Sequence, residues 1–121
     1  MKTLTKEFIV KEDATAISIG SGGLEVLSTP SLIAWMENVS YTLCEPLTQA
    51  VETTVGIEIV MKHLSPTSVG KIVKIDAEIT DRNENILSFS LSASVDGKVI
   101  STANHKRAIV NKELFFKKIN E

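Results

Sequence analysis

The chain has 121 residues, 43% of them hydrophobic, which is enough for one core and too few for two ordinary domains, so residues 1–121 are read as a single domain. Its 13 Lys and Arg against 15 Asp and Glu leave a formal charge of -2 with no long block of either sign, which argues against nucleic acid as a partner. One cysteine, Cys44, rules out an internal disulfide and a Cys-rich metal centre. Two histidines with no H-x-x-x-H pattern leave little from which to build any metal site. The cytoplasm is the default compartment. The first residues, Met1 to Phe8, lack the apolar core of a signal peptide, and no apolar run approaches the roughly 18 residues that span a bilayer.

Residues 3 to 10 alternate, Leu4, Phe8 and Val10 against Lys2, Lys6 and Glu7, and predict a first strand or strand-like arm. A second short strand is expected over Thr15 to Ile19, before Gly20-Ser21-Gly22-Gly23 forms a flexible loop. From Leu27 to Cys44 the pattern changes to that of a long helix. Ser28 or Thr29 offers a hydroxyl to cap it, Pro30 suits the first helical position, and Pro46 bounds the far end. At 100° per residue Leu32, Met36, Val39 and Leu43 fall within about 60° of arc, with Ile33 and Trp35 beside them, so one apolar stripe runs the helix's length of roughly four turns.

After a connection over Leu47 to Thr53, Thr54 to Leu64 reads as a strand with Ile57, Ile59, Met61 and His63 on one face. Ser65 to Gly70 makes a turn. In Lys71 to Arg82, Val73, Ile75, Ala77 and Ile79 alternate with Lys74, Asp76, Glu78 and Thr80. A polar turn over Arg82 to Asn85 leads to Leu87, Phe89, Leu91, Ala93 and Val95 alternating with four serines. Asp96-Gly97 is a two-residue hairpin signal, Val99 to Val110 is the last long strand, and Asn111 to Glu121 is a short polar and aromatic tail. A meander of antiparallel strands has one face to cover, and one helix carries the stripe to cover it. The expected class is α+β, a hotdog fold in which a curved antiparallel sheet wraps one long helix. A homodimer joined edge to edge, with tetramers compatible, would remove the exposed strand edge.

Three polar side chains stand out by position: Thr29 at the helix start, Glu37 two turns on, and His63 on the inner-face register of the next strand. Each has a plain structural explanation. Thr29 serves as a cap, Glu37 as a solvated helix carboxylate at the margin of the stripe, and His63 as a hydrogen-bonded core residue. Together they supply a hydroxyl, a carboxylate and an imidazole.

The run Glu25 to Glu37 with its Ser-Thr-Pro-Ser-Leu core, then Val55-Gly56-Ile57, Met61-Lys62-His63 and Asn104-His105-Lys106-Arg107, resembles the hotdog thioesterases of the fluoroacetyl-CoA thioesterase type over residues 24 to 111. The resemblance implies hydrolysis of an acyl-CoA thioester to acid and CoA, with Thr29, Glu37 and His63 as the catalytic set and Gly56 offering a backbone N–H near the thioester carbonyl. No cofactor is implied. His63 would exchange the proton, Thr29 would orient or attack, and Glu37 would either activate water or bond to the acyl group. His105 and Arg107 match the family's closing His-x-Arg. They share one face of a strand, and a structural role, including an ion pair with a carboxylate at a dimer contact, is the expectation for Arg107. Each site would sit at the subunit junction, where a helix start of one chain meets a strand of the other. In place of the family's phenylalanine-bearing lid the chain has Ile17 to Leu24, which predicts an open entrance and an unassigned acyl group. The main rival keeps the pocket without turnover, as an acyl-CoA or small acyl-ligand binding protein. A hotdog dehydratase ranks behind it, since its motif is missing.

Overall fold

The computed structural model describes residues 2–121. Strand β1 (Thr3–Ile9) is followed by a single 3-10 turn (Glu12–Ala14), helix α1 (Ala16–Ile19) and the long helix α2 (Thr29–Cys44). After a second 3-10 turn over Glu45–Leu47 come β2 (Glu52–His63), β3 (Ile72–Asn83), β4 (Ile86–Val95) and β5 (Lys98–Asn111), and then helix α3 (Lys112–Ile119). The strands form one antiparallel sheet in the order β1-β3-β4-β5-β2, so β2 lies at an edge although it is the first long strand in the chain.

The sheet follows from alternation. Val73, Ile75, Ala77 and Ile79 of β3, and Leu87, Phe89, Leu91 and Ala93 of β4, are buried beneath α2, while their serine and charged neighbours face away. On α2, Leu32, Met36, Val39 and Leu43 are buried as the stripe requires, each contributing about 1.5–3 kcal/mol by leaving water. Phe8 of β1 stacks on Trp35 with centroids 5.0 Å apart, and Lys6 donates to Asn38 Oδ1 at 2.8 Å and Thr42 Oγ1 at 2.9 Å, fixing the helix to the other edge of the sheet. The β4–β5 hairpin turns on Asp96 and Gly97, both at positive φ, as the Asp-Gly signal predicts.

Two local expectations are corrected, the Thr15–Ile19 strand and the inward Ile57, and two are made specific, the α2 cap and the tail. Thr15 to Ile19 is not a strand: the Thr15 hydroxyl accepts from Ser18 N, capping α1, and Gly20 at φ 83 ends it, so side-chain capping overrides an apolar alternation only five residues long. At α2 the cap is Ser28, whose Oγ accepts from Ser31 N at 3.1 Å. That leaves the Thr29 hydroxyl free of capping, and Leu27 pairs with Thr15 ahead of the helix. In β2 a register shift between Gly56 and Glu58 turns Ile57 out of the inner series, and Ile57 is 52% exposed. The tail is helical over Lys112–Ile119 because Asn111 Oδ1 accepts from Leu114 N.

Candidate active site

Because Ser28 takes the capping role, Thr29 stands on the exposed first turn of α2 with its hydroxyl turned toward the end of β2. Thr29 Oγ1 and His63 Nδ1 lie 2.9 Å apart in one chain. The contact expected across a subunit boundary is therefore made within the protomer. His63 is half-buried, its Nε2 has no hydrogen-bond partner among the described residues, and burial lowers its pKa below the usual 6.5, which keeps the imidazole neutral. A cavity of about 390 Å³ opens beside the pair, walled by the α1 loop, Val26 and Pro66.

Glu37 is not in this pair. Eight residues on from Thr29, it lies roughly 12 Å further along the helix axis. There Glu37 Oε2 is 3.7 Å from Arg107 Nη1 and comes so close to Gly56 that a Cβ at that position would stand 2.7 Å from it. The absence of a side chain at Gly56 thus leaves room for the Glu37 carboxylate, with the His105 ring and the Arg107 guanidinium also close by. Arg107 is buried and held by three hydrogen bonds. Its Nε donates to Thr54 Oγ1 at 2.9 Å, Nη2 to the Thr54 carbonyl at 3.1 Å and Nη1 to His105 Nε2 at 3.2 Å, and it lies over the Tyr41 ring. His105, buried beside it, donates from Nδ1 to the Glu58 carbonyl at 2.7 Å. That fixes the tautomer in which Nε2 accepts from the guanidinium, and burial, aided by Arg107, lowers this pKa too. The shared inner face of His105 and Arg107 is as expected, but the carboxylate Arg107 meets is Glu37 of its own chain. Thr54 and Tyr41 were missed in the sequence. Tyr41, four residues after Glu37, was detectable as its helix-face neighbour, whereas nothing marked Thr54.

The protomer therefore carries two polar clusters, a hydroxyl–imidazole pair at Thr29 and an arginine-supported carboxylate at Glu37, at different heights along α2. A long helix laid across a curved antiparallel sheet defines the class as the α+β hotdog fold. The family model described as fluoroacetyl-CoA-specific thioesterase matches residues 10–113. The chain belongs to that family and is an acyl-CoA thioesterase, a hydrolase. Among solved structures, that of the fluoroacetyl-CoA thioesterase FlK superposes with a TM-score of 0.93 at 24% identity, over 98% of this chain and 93% of that one. A thioesterase superfamily member from Thermus thermophilus gives 0.89 at 18% identity over 98% and 90% of the two chains. A hot-dog-like protein from Thermanaerovibrio acidaminovorans gives 0.90 at 17% over 98% and 87%. No curated protein sequence matches. Among the described residues no helix is long and apolar enough to cross a membrane.

Proposed function

We propose that the enzyme hydrolyses its acyl-CoA as a homodimer in which each active site joins Thr29 and His63 of one protomer to Glu37 and Gly56 of the partner subunit. The observation that carries this reading is the separation of the half-sites, because groups roughly 12 Å apart along one helix cannot act on one carbonyl. The edge strand β2 supports the joining. It is twelve residues long with Ile57 and Val60 exposed, and antiparallel pairing of two such edges about a twofold axis between Ile59 and Val60 sets His63 beside Gly56 of the partner subunit.

In this site Thr29 Oγ adds to the thioester carbonyl while His63 Nδ1 takes its proton. The carbonyl's electron pair moves to oxygen, facing the N–H of Gly56 of the partner subunit. Collapse breaks the C–S bond and the imidazolium returns its proton to the CoA sulfur. Water then adds to the acyl–Thr29 ester as Glu37 of the partner subunit takes its proton; the C–O bond to Thr29 breaks, the acid leaves and that proton passes on to Thr29 Oγ, which restores the carboxylate and the hydroxyl. The acyl group is broader than fluoroacetyl: α1 and the glycine loop present only Ile17, Ile19 and Leu24, all exposed, where a selective gate would stand. A reducing compartment such as the cytoplasm suits the buried free thiol of Cys44, whose pKa burial raises.

Complementation tests the arrangement. His63→Ala and Glu37→Gln proteins are each prepared inactive, then co-refolded. A shared site rebuilds one intact centre in each mixed dimer and returns about a quarter of wild-type turnover, whereas a site within one chain returns none.

A further inference from the structure

We propose that the small cavity bounded by Lys71, Lys98 and Thr67, next to the Thr29–His63 cavity, binds the phosphate groups of the CoA nucleotide. The ligand's identity rests on the thioesterase reading; the site rests on separate residues. The cavity holds about 170 Å³ between the β2–β3 turn and the β4–β5 hairpin, and it shares Ser65 and Pro66 with the cavity beside Thr29 and His63, so the two are neighbouring chambers. With liquid water occupying about 30 Å³ per molecule, the space suits a phosphate and leaves a nucleoside outside.

The lining is chemically suited to an anion. Lys98 makes no ion pair among the described residues. Lys71 Nζ meets only Asp96 Oδ2, at 3.3 Å, in a pair so exposed that a multiply charged ligand can displace it. Two ammonium groups thus face one carboxylate. Thr67, at 4% exposure, is among the lining residues, and its buried hydroxyl has no partner among the described residues, which is unfavourable until something accepts from or donates to it. The wall is also tied to the catalytic element: the Thr67 carbonyl accepts from Leu27 N at 2.8 Å and Ser68 bridges Val26, immediately before Ser28 caps α2 and Thr29 follows. The spacing fits as well. His63 is paired with Ser101, and Lys98 lies three residues earlier on β5, about 10 Å along the strand, so a thioester at His63 reaches phosphates at Lys98 across its pantetheine arm.

Calorimetric titration with adenosine 3′,5′-bisphosphate, on the wild type and on Lys98→Gln, Lys71→Gln/Lys98→Gln and Thr67→Val, tests the site without catalysis. Affinity falls about tenfold per lysine removed, falls further with salt, and is retained in Lys98→Arg. In parallel, kcat/KM for one acyl group on CoA drops relative to the same group on N-acetylcysteamine, which has no nucleotide. Unchanged bisphosphate affinity in the double variant, or equal loss with both thioesters, overturns the proposal. Inorganic phosphate binding as tightly as the bisphosphate overturns its assignment to CoA. Lysine-dependent binding by a wild type that cleaves neither thioester would sink the catalytic reading and leave this site standing.

Discussion

The two half-sites on α2 are built to opposite specifications. Thr29 and His63 meet through one hydrogen bond at the lip of an open cavity, with one imidazole nitrogen unpartnered, whereas Arg107 is buried and spends its donors on Thr54, His105 and Glu37. A group held by one bond is free to pass a proton; a group held by four contacts can only hold others still. On the proposed reading the first pair exchanges protons, and Arg107 with Thr54 and His105 is the framework that holds the Glu37 carboxylate in place. Substitutions should separate the two by what they damage.

The largest effect is expected at the residues proposed to act on the thioester. His63→Ala and Glu37→Gln each lower thioester turnover by at least about 100-fold while circular dichroism and the thermal midpoint stay near wild type. Wild-type rates in both would remove the assignment, and a collapse of the fold in His63→Ala would return that histidine to the core.

Arg107→Ala inverts this pattern. It strands the Thr54 carbonyl and hydroxyl and the His105 nitrogen in the interior, and costs on the order of 3 kcal/mol, or roughly 10 °C of midpoint for a chain of this size. A midpoint shift no larger than that of Thr29→Val would mean the cluster is not the framework it resembles.

Acid separates the halves more gently. Burial is the main reason that His63 and His105 both have pKa values lowered from 6.5, so the unfolded chain takes up these protons first. Stability from both is full above pH 6.5 and is lost as pH falls through 6.5 toward the folded values. Turnover, which needs neutral His63, declines only once pH passes below that lowered value. Chemical denaturation and rate measurements across pH 5 to 8 check the order, and a rate that declines above pH 6.5 would contradict it.

How far this was legible in the sequence depended on the length of the signal. The alternations from Val73 to Ile79 and from Leu87 to Val95 run long enough that no local preference competes, and they gave the sheet and the stripe-bearing helix its place. A short segment failed where one side chain decides: the Thr15 cap made a helix of a five-residue alternation, and at the tail, whose structure had been left unassigned, Asn111 caps a helix in the same way. Thr29, Glu37 and His63 were visible as residues, through their spacing and the family resemblance. The eight-residue spacing already set Thr29 and Glu37 far apart on the helix, but that Thr29 meets His63 within one chain while Glu37 meets Arg107 depends on which residue caps α2 and on strand packing, and neither leaves a mark on spacing. The inner-face register placed His105 and Arg107 together correctly, yet only packing shows that Glu37 is their carboxylate.

The smallest expected effect concerns the entrance to the cavity beside Thr29 and His63. The segment from Ile17 to Leu24, which contributes Ser21 to the cavity wall, carries Ile17, Ile19 and Leu24 as exposed aliphatic side chains beside Gly20, Gly22 and Gly23, with no aromatic ring among them. A fluorine in place of a hydrogen changes little in size, and apolar walls resolve such differences by only about 1–3 kcal/mol even when they close fully. An open aliphatic rim resolves them less. The enzyme should therefore process acetyl-CoA and fluoroacetyl-CoA with kcat/KM values within about tenfold of each other, and accept larger acyl groups as well. Measured under one set of conditions, a ratio above about a thousand in favour of the fluorinated thioester would move the source of selection away from this rim and toward the polar framework around Glu37 and Arg107, where a C–F dipole would have charges to meet.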